Sequence, residues 1–212
     1  PFIKTLQDLN MTGDQVNEIE GVFSGTLSYL FNNYDGELEF SKMVADAREK
    51  GFTEPDPRDD LSGMDVARKL VILAREMNLS IGISDVSVES LVPEKLRDIS
   101  VDDYLDQLSE YDEAMNLRLA EARNNNKVLR YIAKLDSSGK ASVKLDAISI
   151  DHPFAELKGS ENVIKYMTDR YSDYPLVHKG PGAGAEVTAA GIFSDLLMVV
   201  QHIDRFNPFI TE

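Results

Sequence analysis

Residues 51–69 have the sequence GFTEPDPRDDLSGMDVARK, which joins an acidic loop to a helix. Its first half holds four carboxylates and two prolines, and because proline fixes the backbone angle φ we predict a stiff loop there. The helix is predicted to begin at Ser62 or Gly63, since apolar residues then recur every three or four positions. Asp65 and Lys69 stand four residues apart and therefore share one face of that helix.

The segment before the loop is predicted to contain helices and a strand. In order, the expected elements are a helix over residues 3–11, a strand within residues 15–23, a helix from about residue 25 to residue 35, and a helix from about residue 41 to residue 50. Ser24 and Ser41 are the predicted N-caps of the last two helices, and Gly51 is the predicted residue that ends the second of them. The loop itself then covers residues 52–61.

After the lysine-bearing helix the apolar pattern changes from helical to alternating. The expected elements are an edge strand at residues 86–88, an acidic helix over residues 101–108 capped by Ser100, a helix over about 110–123, strands over 127–135, 141–150, 162–170 and 175–179, and a closing helix over 186–203. Residues 136–139, DSSG, predict a hairpin turn between the first two long strands. We therefore predict one α+β domain over residues 1–212, with a mostly antiparallel or mixed sheet and helices packed on one face.

Composition narrows the function classes. The chain has 212 residues, of which 42% are hydrophobic and 28% charged, a balance typical of globular proteins. Its net charge of -15 repels phosphate backbones, so we expect no nucleic-acid partner, and without an apolar run of spanning length we expect no membrane partner. Zero cysteines exclude disulfides and cysteine-ligated zinc and are compatible with a cytoplasmic origin.

Each motif that could take part in catalysis or ligand binding also has an ordinary structural explanation. The Asp65–Lys69 pair fits a surface salt bridge, but it also fits a protonated lysine that acts as general acid beside carboxylates. The carboxylates of residues 54–60 fit either a substrate site or the start of a helix, where negative charge is favoured. The glycine-rich residues 180–184 and the SGT of residues 24–26 fit a tight turn and a helix cap, or backbone contacts to a ligand.

Three longer motifs resemble one known family. They are EGVFSGTLSYLF, GFTEPDPRDDLSGMDVARKL and KGPGAGAEVTAAGIFSDLL, which occur in this order and cover most of the chain. Together they resemble homoserine dehydrogenase, especially that part of bifunctional aspartokinase–homoserine dehydrogenases. The resemblance implies NAD(P)-dependent interconversion of aspartate 4-semialdehyde and L-homoserine.

The resemblance also implies roles for individual residues. It implies that Lys69 is the catalytic proton donor and that this chain provides no metal ligand. The implied substrate contacts are Glu54, Asp60, Asp65, Gly25 and Thr26, and the implied cofactor contacts are Gly182 and Gly184. The residue patterns by themselves agree on Lys69 and its carboxylates but give less weight to the glycines and Thr26.

The chain departs from the family in one large respect. It contains no G-x-G-x-x-G motif, which in the family belongs to an N-terminal Rossmann domain. The expectation is therefore a catalytic and dimerisation region that lacks the nucleotide-binding domain. Such a region would bind no cofactor and turn over little or nothing by itself, while residues 185–206 would pack on the absent domain.

Two other functions remain open on the sequence alone. A catalytically silent amino-acid-binding or dimerisation module would use the same residues without needing Lys69 for chemistry. An acidic site for a divalent metal is disfavoured because the carboxylates do not match EF-hand spacing and two prolines restrict the loop.

Overall fold

The structure is a computed structural model that describes residues 2–206, and for residues 202 and 204–206 the description covers the backbone alone. Predictions that concern residue 1, residues 207–212 or the side chain of His202 lie outside the described residues. The helices are α1 (Phe2–Met11), α2 (Gly25–Asn33), α3 (Phe40–Glu49), α4 (Pro57–Leu61), α5 (Met64–Glu76), α6 (Val101–Gln107), α7 (Asp112–Asn124) and α8 (Ala185–Phe206). The strands are β1 (Val16–Val22), β2 (Val86–Val88), β3 (Lys127–Asp136), β4 (Ala141–Ser149), β5 (Glu161–Thr168) and β6 (Leu176–Pro181).

The six strands form one mixed sheet in the order β2-β4-β3-β1-β5-β6. Among these strands β2 and β4 pair in parallel, and the other neighbouring pairs are antiparallel. The predicted hairpin is confirmed, since β3 and β4 pair from Lys127–Ser149 to Leu135–Ala141. The predicted α+β class with a mostly antiparallel or mixed sheet is therefore confirmed.

The main hydrophobic core lies between the helices and one face of the sheet. Side chains alternate across a strand, so Ile19, Leu135 and Tyr166 all point to this face, and each is completely buried. Leu27 of α2 and Leu70 of α5 are buried against them in the same apolar cluster. The prediction that helices pack on one face is thus confirmed.

The other face of the sheet carries a smaller apolar cluster. Val22, Ile132 and Val163 contribute to it from three neighbouring strands, and Phe154 and Leu157 cover them from the loop between β4 and β5. No helical residue belongs to this cluster in the part of the chain that the structure describes. This face is therefore closed by a loop over part of its area.

Arg130 holds that loop in place. Its guanidinium is buried on β3 and donates to the carbonyl oxygens of Phe154 at 3.0 Å and Ala155 at 2.7 Å, and to that of Phe31 in the last turn of α2 at 2.8 Å. Burial lowers the pKa of Arg130 to about 10, so the side chain stays charged at neutral pH. One cation thus joins the loop to α2, the helix whose other end carries Gly25 and Thr26.

Two local predictions were wrong. Ser41 is not an N-cap, because α3 begins one residue earlier, and its amide and hydroxyl both donate to the Asp112 carboxylate, at 2.7 and 2.6 Å. Residues 57–61 are not loop but form α4, with Pro57 in the first helical turn. Gly51 does end α3 as predicted, with φ of 74° and with Phe52 N donating to Ala47 O at 2.8 Å.

Candidate active site

The acidic loop is held rigid by Asp56 and Arg58. Asp56 caps α4 by accepting a hydrogen bond from Arg58 N at 3.0 Å, and its carboxylate also pairs with the Arg58 guanidinium at 2.7 Å. This partner lowers the pKa of Asp56. The same guanidinium donates to the carbonyl oxygens of Leu96, Arg97 and Ile99 at 3.1, 3.0 and 2.7 Å. The short helix is thereby tied both to its own cap and to the segment before α6.

A glycine turn sets the angle between α4 and α5. Gly63 adopts φ of 72°, a left-handed conformation that favours glycine. A Cβ placed on Gly63 would come within 2.0 Å of the Tyr131 hydroxyl oxygen, which itself donates to Glu89 O at 2.6 Å. The turn therefore brings α5 close to β3 and leaves no room for a side chain.

Lys69 lies on α5 with two fixed partners. Its ammonium group is 2.8 Å from the Asp65 carboxylate and donates to the carbonyl oxygen of Phe23 at 2.9 Å. The side chain remains 47% exposed, so it is open to solvent on one side. An ammonium has three N–H groups, and these two contacts leave a third that no described residue accepts.

Asp60 is joined to α2 by Thr26. The Thr26 hydroxyl lies 2.8 Å from Asp60 Oδ1 and 2.6 Å from the carbonyl oxygen of Phe52. The other oxygen of Asp60 accepts a hydrogen bond from Glu54 N at 2.8 Å. Asp60 therefore fixes the loop backbone against the first turn of α2.

The structure brings most of the predicted loop and helix residues to one junction. Lys69 contacts Phe23, the residue just before the Ser24 cap, and Asp60 contacts Thr26 two residues after that cap. Both therefore meet the chain where β1 passes into α2. Glu54 joins through its backbone alone, because no contact to a described residue involves its exposed carboxylate.

The predicted glycines lie around the start of β5. A Cβ on Gly25 would stand 3.6 Å from Ser160 Cβ, which is an ordinary contact. One on Gly182 would lie only 1.9 Å from the side-chain nitrogen of Asn162. Gly184 has open space around it and φ of 122°, and α8 begins directly after it. Residues 160–162 thus lie between Gly25 at the start of α2 and the turn that contains Gly182 and Gly184.

Sequence reasoning missed three members of this region. The Phe23 carbonyl is a backbone group, so no residue type signals it. Arg58 could have been found, because an Asp-Pro-Arg pattern at a helix start allows the arginine to pair with its own cap. Asn162 gave no signal, since a lone asparagine at a strand start is common.

Other features of the fold lie away from these residues. An open groove of about 670 Å³ between α3 and α7 is lined by residues such as Glu39, Asp112 and Asn116, and includes none of the predicted site residues. Among the side chains that the structure describes, no group of three or more acidic or histidine residues is arranged to hold a metal ion. In the same part of the chain, no helix combines the length and apolar character needed to cross a bilayer.

The chain is similar to known proteins over nearly its whole length. Residues 1–197 match a family model described as homoserine dehydrogenase. The bifunctional aspartokinase/homoserine dehydrogenase 1, chloroplastic, of Zea mays is 52% identical over 205 residues, which cover 96% of this chain and 22% of that protein. The homoserine dehydrogenase of Saccharomyces cerevisiae is 45% identical over 210 residues, which cover 96% of this chain and 58% of that protein.

A solved structure agrees with the fold. The crystal structure of a Candida auris protein of unknown function superimposes with a TM-score of 0.90 at 44% identity, covering 94% of this chain and 57% of that one. The chain thus spans 22% of the length of the maize relative and 58% of the length of the yeast relative.

Proposed function

The chain belongs to the homoserine dehydrogenase family, and we propose that it forms the substrate-binding and catalytic region of an NAD(P)-dependent enzyme. The reaction is the interconversion of aspartate 4-semialdehyde and L-homoserine, a step toward threonine and methionine. The observation that carries this proposal is the Lys69 ammonium, which Asp65 and the Phe23 carbonyl hold in place while a third N–H stays available.

Lys69 acts as the proton donor. Reduction of the aldehyde needs a hydride at the carbonyl carbon and a proton at the carbonyl oxygen. The nicotinamide cofactor supplies the hydride when it is bound. Lys69 supplies the proton through its free N–H, and in the reverse direction it takes the proton back from the alcohol. Asp65 keeps the ammonium oriented and stabilises its charge.

The amino-acid end of the substrate is held by the loop and α2. The exposed Glu54 carboxylate is free of contacts to described residues and suits an α-ammonium group. Gly25 and Thr26 begin α2, where the first backbone N–H groups lack helical partners and suit a carboxylate. Asp60 lies behind them, binding Thr26 and fixing the Glu54 backbone, so it shapes the pocket.

The cofactor is contacted by Gly182 and Gly184. Both lie in the turn before α8, and no described atom lies within 4 Å of the point that a Cβ on Gly184 would occupy, so the backbone there is open to close approach. The nucleotide itself is bound by a Rossmann domain on which α8 packs. The isolated chain is accordingly inactive, and the working enzyme is a homodimer or larger homo-oligomer in the cytoplasm.

The position of each strand in the sheet limits which strands can pair across a dimer. From the sequence, the candidates for pairing across a dimer are the strands within residues 127–150 and 162–179. In the sheet, β3 and β5 are interior, β2 and β6 are the edge strands, and β2 covers β4 only along residues 141–143. Pairing through a strand edge would therefore use β6, β2 or the part of β4 after Val143, whereas β3 and β5 can contribute only through their faces.

The test is Lys69→Ala in the full-length protein that carries this chain. We expect kcat to fall by about 10²- to 10⁴-fold, because the proton donor is lost, while the thermal unfolding curve is retained. Arg68→Ala is the matched control, since it removes a neighbouring exposed cation from the same helix. Turnover of Lys69→Ala similar to that of Arg68→Ala would contradict the proposal and favour the alternative, a non-catalytic amino-acid-binding or dimerisation module.

A second measurement addresses the isolated chain. Consumption of NADH or NADPH with aspartate 4-semialdehyde should not exceed the rate without protein, because residues 1–212 contain no dinucleotide fingerprint. Turnover by the isolated chain would show that the hydride source does not need another domain.

A further inference from the structure

Arg58 is a largely buried cation that uses all three of its side-chain nitrogens. Its side chain is 15% exposed, and its guanidinium carbon lies 5.3 Å from the centre of the buried Tyr104 ring. Nε binds Asp56 Oδ1 at 2.9 Å, and Nη2 binds Asp56 Oδ2 at 2.7 Å. Nη1 lies 2.7–3.1 Å from the three carbonyl oxygens before α6 that were described above. The guanidinium therefore anchors α4 to a segment that lies about 40 positions further along the chain.

The helix that carries Arg58 is too short to hold its own position. α4 has five residues, and helices of that length are not stable in water without tertiary contacts. Pro57 and Leu61, at its two ends, are buried and fix the helix against the core. The rotation of the helix about the line through these two anchors is then fixed by the side chains between them, Arg58 and Asp60.

Asp60 leaves α4 on the side opposite Arg58. Two positions along a helix correspond to about 200° of rotation, so the two side chains point in nearly opposite directions. Arg58 contacts the segment before α6, whereas Asp60 lies 2.8 Å from the Thr26 hydroxyl and accepts from Glu54 N at 2.8 Å. A rotation of α4 that follows the loss of Arg58 would therefore displace Asp60 from both partners.

We propose that Arg58 is a positioning residue that, by fixing the rotation of α4, holds Asp60 in place at the substrate pocket. Asp60 in turn sets Thr26 and the Glu54 backbone, which the proposed function assigns to the amino-acid end of the substrate. This inference rests on that function and goes beyond it, because Arg58 touches neither the substrate pocket nor the reacting atoms.

The proposal separates substrate binding from the other steps. Lys69 is held by Asp65 and the Phe23 carbonyl, and the turn with Gly182 lies before α8. Among the described residues, Arg58 forms hydrogen bonds to none of these groups. Loss of Arg58 should therefore raise the KM of the amino-acid substrate and leave proton transfer and cofactor binding nearly unchanged.

The test is Arg58→Ala in the full-length protein that carries this chain, assayed by oxidation of L-homoserine with NAD⁺ or NADP⁺. We expect the KM of homoserine to rise about tenfold, while kcat and the KM of the cofactor stay within about threefold of the wild type. Arg58→Lys should resemble Arg58→Ala, because a single ammonium cannot bind both oxygens of Asp56 and the backbone carbonyls together.

Free guanidinium provides a readout that general destabilisation does not share. At millimolar concentration it should lower the raised KM of Arg58→Ala, because it can occupy the vacated space beside Asp56. It should not help Arg58→Lys, in which the lysine fills that space. A variant that is merely less stable would gain nothing, since guanidinium weakens folded proteins.

A neighbouring arginine is the matched control. Arg97 has a 52% exposed side chain that lies 3.7 Å from Glu94, and Arg97→Ala keeps the backbone carbonyl that accepts from Arg58. Its KM for homoserine should stay within about twofold of the wild type. Thermal unfolding of each variant is measured first. If Arg58→Ala does not fold, Asp56→Asn replaces it, since asparagine keeps the cap of α4 but loses the ion pair, and its KM should rise about threefold.

The outcomes distinguish this role from the proposed function. An unchanged KM of homoserine in the folded variant, an equal rise for homoserine and cofactor, or a rise in Arg58→Ala that guanidinium does not reverse overturns the positioning role and leaves the proposed function intact. Failure of the wild type to oxidise homoserine overturns the proposed function itself, and this inference with it.

Discussion

Glu20 is an ionised residue at the centre of the sheet face that carries no helices. Its side chain is 6% exposed and lies 2.6 Å from the Lys134 ammonium and 3.4 Å from the His152 imidazole, with the Lys165 ammonium also bound to it. Burial by itself would raise the pKa of Glu20, but the hydrogen bonds from these three groups outweigh it and hold that pKa far below its usual range. Three neighbouring strands are thereby linked through one carboxylate.

The sign of the pKa shift predicts how stability depends on pH. Since the folded-state pKa of Glu20 is lower than its ordinary value of 4.5, its ionised form stabilises the fold fully above that pH. Glu20→Gln should therefore lower the free energy of unfolding at pH 7 by about 2 kcal/mol. As the pH falls below about 4.5, the wild type loses this contribution and the difference between the two proteins should shrink.

Urea denaturation at a series of pH values measures this difference. Glu18→Gln is the matched control, because Glu18 lies on the same strand and face but is 41% exposed and 3.9 Å from the Lys165 ammonium. It changes the net charge equally and should alter stability by less than about 0.5 kcal/mol. A constant difference between Glu20→Gln and the wild type from pH 7 to pH 2 would contradict the assignment.

At the scale of elements, the turn between α4 and α5 determines where Lys69 points. Gly63→Ala should lower the free energy of unfolding by about 3 kcal/mol, because it adds left-handed strain and a collision with the Tyr131 hydroxyl at 2.0 Å. For a chain of this size, that corresponds to a melting temperature lower by roughly 6–12 °C. Calorimetry or circular dichroism on the isolated chain measures it.

A second glycine isolates the collision from the strain. Gly51 has φ of 74°, close to that of Gly63, but nothing lies within 4 Å of a Cβ there. Gly51→Ala should therefore cost about 1–2 kcal/mol, the strain alone. Adding Tyr131→Phe to Gly63→Ala should recover part of its loss, and equal losses for the two alanine variants would show that the contact with Tyr131 has no effect.

The elements that sequence could predict are those with a long pattern of their own. The β3–β4 hairpin and α5 each repeat a period over ten or more residues, so both appear where they were predicted. α4 has five residues, too few to show helical periodicity, and Pro57 suggests a loop as readily as a first helical turn. Ser41 resembles a cap in sequence because its true partner, Asp112, lies 71 positions away.

The contacts of the candidate active site also fall into two groups, those that the sequence predicts and those that depend on the fold. The Asp65–Lys69 pair is encoded by spacing within one helix, so sequence could predict it. The hydrogen bond from Thr26 to Asp60 joins two elements, and that from Lys69 to Phe23 ends on a backbone oxygen. Such contacts depend on the fold. The residue pattern left Gly25, Thr26 and Gly184 open between a structural role and ligand contact, and only the resemblance to a family favoured ligand contact.

At the scale of the whole molecule, α8 stands apart from the body of the fold. Of the twenty large apolar side chains exposed among the described residues, nine belong to α8, including Ile192 at 68% and Phe193 at 59%. Lys4 of α1 contacts it, lying 2.8 Å from the Ser194 hydroxyl and 3.4 Å from Asp195. The core, in contrast, is completed by α1 to α7 and the sheet.

A chain that ends at Gly184 should therefore fold as well as the longer one. We expect its melting temperature to lie within about 3 °C of that of residues 1–212, because α8 contributes no described residue to either apolar cluster. Binding of the dye ANS should fall sharply, since a contiguous exposed apolar surface is what the dye detects.

Ile192→Lys combined with Leu196→Lys is the matched variant of the full chain, and it should reduce dye binding while keeping α8. Loss of cooperative unfolding in the shortened chain would instead place α8 within the folding unit, and unchanged dye binding would show that its apolar side chains are covered in solution.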